Sequence, residues 1–267
     1  MSPPHWRAVI TGASGGIGGA IAAALAPRCT ALRLVGRDAA RLEARSAALR
    51  AAHPSLDARA VVADVTRAAG RARVADATCE MNGANLLVNS AGVSDFSLFE
   101  SQPEAALESM VTTNLLAPML LTRALLPLLR ARPAARIVNV GSILGYLGYP
   151  GCVAYSASKF GLRGFSEALR RELADTGVGV QYFAPRATRT ALNSDAMCRL
   201  NAELKVAVDT PEQVAQEFLA LLDTPQRAES RVGFPEKLFA RLNQLLPGLV
   251  DGSLRKQLPL IRKYAGK

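Results

Sequence analysis

Short apolar blocks alternate with stretches of helical spacing along most of the chain. Arg7-Ala8-Val9-Ile10, Leu32-Arg33-Leu34-Val35 and Ala58-Arg59-Ala60-Val61-Val62 read as the first three strands. Asn85-Leu86-Leu87-Val88-Asn89, Arg136-Ile137-Val138-Asn139-Val140 and Val178-Gly179-Val180-Gln181-Tyr182-Phe183 read as the next three. Such short, evenly apolar runs are expected where helices cover both faces of a sheet. Between them, residues 17–25, 39–51, 104–130 and 155–174 carry helical patterns, with Pro118 set to bend the third. This alternation predicts an α/β fold built on a doubly wound parallel sheet with helices on both faces. No linker or shift in composition interrupts residues 1–234, which are read as one domain.

After Pro185 the pattern loosens. Residues 188–206 mix polar and apolar types and read as a mobile lid. Thr210-Pro211-Glu212-Gln213 then supplies an N-cap, a first-turn proline and a capping-box glutamine. Val214, Phe218, Leu221 and Leu222 give that helix an apolar face, and Arg231-Val232-Gly233-Phe234 reads as a last edge strand. Residues 235–267 form a C-terminal helical extension that is basic and amphipathic. Its apolar positions run from Leu238 to Ile261, broken by Pro247-Gly248 and Pro259, with Lys237, Arg241, Arg255, Lys256, Arg262 and Lys263 between them. Such a stripe either covers a substrate cleft or subunit interface, or lies on an anionic bilayer as a peripheral membrane contact. The first is favoured, because apolar stripes are more often packing surfaces.

Charge and composition narrow the options. The formal charge is +10, and the last 36 residues hold seven Lys/Arg against two acids. Neither an aromatic-studded basic sheet nor a basic recognition helix accompanies that charge, so nucleic acid is not an expected partner. No run of 18 apolar residues exists, so no membrane-spanning helix is expected. The opening Met1-Ser2-Pro3-Pro4-His5-Trp6-Arg7 lacks the apolar core of a signal peptide. Cys29, Cys79, Cys152 and Cys198 are far apart, without a Cys-x-x-Cys pair, which argues against zinc or a disulfide framework and fits a cytoplasmic location. His5 and His53 are the only histidines, so histidine-based and metal-dependent chemistry are not expected.

Three stretches carry chemistry. The first strand runs into Thr11-Gly12-Ala13-Ser14-Gly15-Gly16-Ile17-Gly18. A glycine-rich turn from strand to helix bares backbone N–H groups at a positive helix end, which is a phosphate cradle. Gly12 to Gly16 also fits the Gly-x-Ser-x-Gly turn of serine hydrolases. That alternative is rejected, because His53 is the only histidine after Ser14. The second stretch is Val35-Gly36-Arg37-Asp38. Gly36 leaves room, and Arg37 offers a fork for a ribose 2′-phosphate, which favours NADP(H) over NAD(H). In the third, Tyr155 and Lys159 are one helical turn apart, so phenol and ammonium share a face. Ser142, just past a strand, adds a hydroxyl for a substrate oxygen.

Thr11-Gly12-x-x-x-Gly16-Ile17-Gly18, Asp64-Val65, Asn89-Ser90-Ala91-Gly92, Asn114, Ser142, Tyr155-x-x-x-Lys159 and Pro185 stand in the order and spacing of one family. Over about residues 6–234 the chain resembles the short-chain dehydrogenase/reductase family, an NADP-preferring type with a Rossmann-like sheet. The resemblance implies that Gly12, Ser14, Gly15, Gly16, Ile17 and Gly18 hold the pyrophosphate, and that Asp64 and Val65 lie against the adenine. It implies that Asn89, Ala91 and Gly92 steady the sheet and line the cofactor cleft. Tyr155 would donate the proton, Ser142 would bind the carbonyl, and Lys159 would bind the nicotinamide ribose and lower the tyrosine pKa. Asn114 would position a relay water. Pro185 and Thr190, preferred to Thr188 by spacing, would meet the nicotinamide end. Family members often form dimers or tetramers through the helices that contain Asn114 and Tyr155.

The chain departs from the family's Pro-Gly at Pro185-Arg186, where the arginine is free to contact cofactor phosphates, an acidic substrate group or solvent. The implied activity is NADP(H)-dependent reduction of a hydrophobic or lipid-like ketone or aldehyde, with 3-oxoacyl thioesters as one substrate class. A cofactor-binding sensor or scaffold without turnover is the alternative.

Overall fold

The computed structural model describes residues 5–266. Met1 to Pro4 and Lys267, read above as the start of the domain and the end of the tail, lie outside the described residues. The strands are β1 (Trp6–Thr11), β2 (Cys29–Gly36), β3 (Asp57–Val62), β4 (Leu86–Asn89), β5 (Ala135–Val140), β6 (Val178–Ala184) and β7 (Glu229–Arg231). The helices up to the last central strand are α1 (Gly16–Leu25), α2 (Ala39–Ala52), α3 (Ala68–Glu80), α4 (Glu104–Val111), α5 (Ala117–Arg130) and α6 (Val153–Glu172). Beyond it come α7 (Asp195–Glu203), α8 (Pro211–Leu222), α9 (Glu236–Leu245) and α10 (Pro247–Ala265). The sheet runs β3-β2-β1-β4-β5-β6-β7, with every neighbouring pair parallel.

Alternation along each strand builds two cores. Ala8 and Ile10 of β1 join Ile21, Leu25, Leu42 and Phe218 from α1, α2 and α8. Val9, between them, points the other way and joins Val74, Leu121, Leu125 and Leu173 from the α3, α5 and α6 side. With period-two alternation, a one-residue slip of β1 would exchange the two sets, so the two covered faces fix the register.

Several elements differ from the expected ones. Helix α3 is absent from the sequence reading, because only Val74 and Thr78 of its residues are buried and no apolar stripe marks it. The long third helix is continuous over Glu104–Arg130, with a π turn at Thr112–Leu116 just before Pro118. The last strand falls at Glu229–Arg231, before the expected position. The stretch read as a lid contains α7, whose start is capped by Ser194 Oγ accepting from Met197 N at 3.2 Å. Helix α10 runs through Pro259 without ending there.

One helix is nevertheless long and apolar enough, by length and composition, to cross a membrane. Glu104–Arg130 contains an 18-residue window of mean hydropathy 1.3. Leu121, Leu125 and Leu129 of this segment are buried against the sheet, while Val111, Leu116 and Met119 on it are exposed. Tail helices α9 and α10 pack on the body. Ala240 joins the cluster of Ile143, Tyr146 and Leu162, while Ile261 and Ala265 join Leu200 of α7.

A buried polar chain crosses the middle of the sheet. Asn89 Nδ2 donates to Asn139 Oδ1 at 2.8 Å and to Thr122 Oγ1 at 3.1 Å. Asn139 Nδ2 donates in turn to Ser166 Oγ at 2.8 Å, which donates to Leu162 O at 2.7 Å. These bonds tie β4 and β5 to α5 and α6. Replacing Asn139 by Ala leaves buried donors and acceptors unpaired. The expected loss is about 2–3 kcal/mol, seen in thermal unfolding as a Tm lower by roughly 5–10 °C; a change within about 1 °C would contradict a structural role for this chain of bonds.

Candidate active site

The site begins where β1 and β4 end side by side. Gly12 has φ +67°, and a Cβ there would meet Ser90 O at 2.8 Å and Ala91 N at 2.9 Å. Thr11 Oγ1 accepts from Ser90 N at 3.0 Å and Ala91 N at 3.1 Å, fastening the second turn over the first. A Cβ on Gly18 would lie 2.5 Å from Gly12 O, so the loop must close on itself without side chains. Helix α1 starts at Gly16 with no acid in its first turn and no side-chain cap, leaving its N-terminal N–H groups for an anion.

One cleft of about 730 Å³ runs from this loop across the C-terminal ends of the strands. Gly12, Ser14, Gly15, Gly16, Ile17, Gly18, Arg37, Asp64, Val65, Ala91, Gly92, Ser142, Tyr155, Lys159, Pro185 and Thr190 all line it. Two expected residues do not. Asn89 turns its amide into the polar chain beneath the sheet, away from the cleft. Asn114 is fully buried, its Oδ1 accepting from Val93 N at 2.9 Å. Its Nδ2 donates to Val93 O at 2.9 Å and to Ser158 Oγ at 3.1 Å. Asn114 therefore joins the loop after β4 to α6, the helix that carries Tyr155 and Lys159.

The adenosine end of the cleft has a clear charge pattern. Asp38 Oδ1 accepts from Arg41 N at 3.0 Å and caps α2. It is occupied there. Arg37 is exposed, and among the described residues no carboxylate forms a salt bridge with it. A Cβ on Gly36 would stand 3.0 Å from Ser14 Oγ, so glycine keeps the space between Ser14 and Arg37 open. Asp64 accepts from Thr66 Oγ1 at 2.7 Å. The Thr66 hydroxyl holds the Asp64 carboxyl below the usual carboxylate range, with smaller help from Arg37 and Arg67. These residues fit a dinucleotide: a loop free of side chains at a helix N-terminus, then Asp64-Val65 and an exposed Arg37 on the wall beside it.

At the other end, Lys159 Nζ donates to Val140 O at 3.1 Å and lies 5.6 Å from the centre of the Tyr155 ring. Tyr155 is partly open to the cleft. The apolar surroundings push its phenol up to about 12, against a hydrogen bond with Ser142 that draws it down. Burial brings the Lys159 ammonium down to about 8. The expected lowering of the tyrosine pKa by Lys159 is not seen: desolvation dominates, and the group that draws the phenol down is Ser142.

Tyr182 is a residue that sequence reasoning missed. Its hydroxyl donates to Lys159 O at 3.1 Å and accepts from Ser142 N at 3.3 Å, tying the backbones of both reacting-group carriers together. Burial pushes its own pKa far up, so it remains a neutral phenol. A Cβ on Gly141 or Gly145 would fall 2.0–2.2 Å from the Tyr182 ring or hydroxyl. The signal lay in glycines on both sides of Ser142, together with a lone tyrosine in a buried strand.

Arg186, the departure from the family pattern, lines the cleft and is held there by carboxylates instead of pointing freely into solvent. Its guanidinium grips Asp209 in a fork, with Nη2 to Oδ1 at 2.6 Å and Nε to Oδ2 at 2.9 Å. It also reaches Glu236 Oε2 at 3.4 Å and Phe234 O at 3.3 Å. It therefore pins the loop after β6 to the start of α8 and to α9. Nearby, Thr188 Oγ1 donates to Arg186 O at 2.9 Å, while the Thr190 methyl covers Gly16, 2.6 Å from where a Cβ would stand. The remaining walls are mainly apolar: Ile143, Leu147, Leu192, Met197, Phe239 and Leu254.

A nucleotide cradle at the switch point of a doubly wound sheet, leading to a Ser-Tyr-Lys cluster, defines a Rossmann-type oxidoreductase. The model of the short chain dehydrogenase family matches residues 7–199, and the chain belongs to that family. It is 32% identical to 3-oxoacyl-[acyl-carrier-protein] reductase FabG of Vibrio cholerae over 85% of this chain and 88% of that protein. A short-chain dehydrogenase from Sphingobium yanoikuyae, solved in complex with NADPH, is 30% identical with a TM-score of 0.78, covering 92% of this chain and 95% of that one. A Burkholderia phymatum relative solved with NAD shares the fold, with a TM-score of 0.81 at 24% identity over 93% of this chain and 96% of that one.

Tyr182→Phe keeps the ring that fills the space beside Gly141 and removes only the hydroxyl. It is expected to lower kcat by roughly 5–20-fold with cofactor affinity unchanged, since about 1–2 kcal/mol of alignment is lost. Parent-like kcat in this variant would show that Ser142 and Lys159 hold their places without it.

Proposed function

We propose that the chain is an NADP(H)-dependent reductase that converts a hydrophobic ketone or aldehyde to an alcohol. The observation that carries this reading is the continuous cleft from the Gly12–Gly18 cradle, past the free Arg37, to Tyr155, Ser142 and Lys159. Bound there, the reduced nicotinamide cofactor would supply the hydride. Ser142 would hold the carbonyl oxygen where negative charge develops, and Tyr155 would deliver its proton to that oxygen. A phenol held near about 12 keeps its proton at neutral pH, which suits donation and disfavours the reverse, base-dependent direction. Lys159, charged below about 8, would stabilise the phenolate left behind. Asn114 would serve as a positioning residue for this group, setting the loop from which a relay water is held.

The apolar walls support a hydrophobic substrate, and the likeness to the Vibrio cholerae 3-oxoacyl reductase makes 3-oxoacyl thioesters a substrate class to include. Val111, Leu116, Met119, Val153 and Phe160 are exposed on α4 to α6, which supports a homo-oligomer formed through these helices. The four free cysteines support a reducing, cytoplasmic setting, and burial pushes the Cys29 and Cys152 thiols up to about 12.

The test is a panel of hydrophobic ketones, aldehydes and 3-oxoacyl thioesters, followed by loss of NADPH with NADH as the control. Turnover with NADPH above NADH is expected. Arg37→Ala should raise KM for NADPH by roughly 10–100-fold with little effect on NADH, as loss of a charge-assisted contact predicts. Equal use of both cofactors by the parent would remove the NADP(H) assignment. NADPH binding without turnover on any class would favour the sensor reading.

A further inference from the structure

Packing divides the apolar residues of the tail into two sets. Ala240, Val250, Ile261 and Ala265 are buried at 0–3% exposure, and Phe239 and Leu254 face the cleft. The second set faces solvent: Phe234 at 73%, Leu238 at 46%, Leu245 at 77%, Leu246 at 53% and Leu249 at 65% exposed. Leu238 and Leu245 are two turns apart on one face of α9, and Leu246 and Leu249 flank the junction with α10. The interior thus leaves uncovered the large apolar side chains around this corner.

The surrounding charge is mainly positive. Lys237 and Arg241 stand one turn apart on α9, and Arg255 and Lys256 are exposed on α10. Among the described residues none of these four pairs with a carboxylate, while Glu236 is held by Arg186. Asp251 is the exposed acid within residues 235–256. We propose that this corner, Phe234 to Leu249 with its basic flank, docks on an anionic lipid bilayer. Apolar tips inserted at the interface, with cations level with the headgroups, are the features such a surface recognises. A self-complementary contact between two copies would bring these same unpaired cations together, which disfavours a second chain as occupant.

The cleft gives this surface a use. Pro235 and Phe239 line the cleft and sit within the exposed corner, so its mouth would open beside the bilayer. A membrane-dissolved ketone or aldehyde could then enter without crossing water. Docking stands without the reductase reading, whereas this delivery role rests on it.

The experiment sediments the full chain with phosphatidylcholine vesicles, with and without phosphatidylglycerol, at low and high salt. Binding to the anionic vesicles that weakens with salt is expected. Leu245→Glu/Leu249→Glu and, separately, Lys237→Glu/Arg241→Glu should each reduce it about tenfold or more. Both variants should keep NADPH binding and turnover of a water-soluble ketone within about twofold, because the four replaced side chains lie outside the reacting centre. If the parent lacks turnover but sediments with vesicles, the reductase reading fails and docking survives. Absence of parent binding, or undiminished binding by both variants, would overturn the proposal. So would a loss of oligomer size in the leucine variant without vesicles, which assigns the corner to a contact between copies.

Discussion

Everything in the site is placed by one close approach between two backbones. Gly12 leaves β1 at a positive φ and passes under the turn after β4, with no room for a Cβ against Ser90 and Ala91. Thr11 locks that approach with two hydrogen bonds from its neighbour's turn. Strand order makes this the point from which the chain winds outward both ways, β1 toward β3 and β4 toward β7. Such switch points open a crevice beyond the carboxyl ends of the strands. The Gly12–Gly18 loop, Ser142, Tyr155 and Lys159 then share one cleft because the sheet puts them there.

The reacting end adds a second tier of constraint. Tyr182 fills the volume that Gly141 and Gly145 leave free and binds the backbones on both sides of the cluster. Asn114 does the same through Val93 and Ser158. Hydrogen-bonded groups in a dry setting hold geometry well, because any displacement leaves a buried polar atom unpaired. Arg186 carries the ordering outward. Where a glycine would leave the loop independent, the arginine fork joins cofactor wall, α8 and tail through two carboxylates. Those pairs are mostly screened from solvent, so they resist salt better than the exposed pairs elsewhere on the surface.

The parallel sheet and its central strands were legible because buried strands reveal themselves as short apolar blocks. That the glycine loop, Arg37 and the Tyr155/Lys159 pair share one cleft was legible because each announces itself by local spacing. Helix α3 was hidden, since two buried residues make no stripe. The π turn was hidden as well, because the hydrophobic pattern on both sides of it continues without interruption. Asn89 looked like a cleft residue from its place in the motif, but alternation along β4 turns it inward to Asn139. Tyr182 and Arg186 depend on partners 23 to 50 residues away in sequence, a relation that no local pattern carries.

The central claim is that Tyr155 gives up the proton in carbonyl reduction while the rest of the site binds and aligns. The most direct measurement compares Tyr155→Phe with the parent for NADPH affinity and for steady-state turnover of a hydrophobic ketone. The account predicts unchanged affinity and turnover reduced by roughly 10²–10⁴-fold, the usual contribution of a positioned acid. Turnover equal to that of the parent would contradict it.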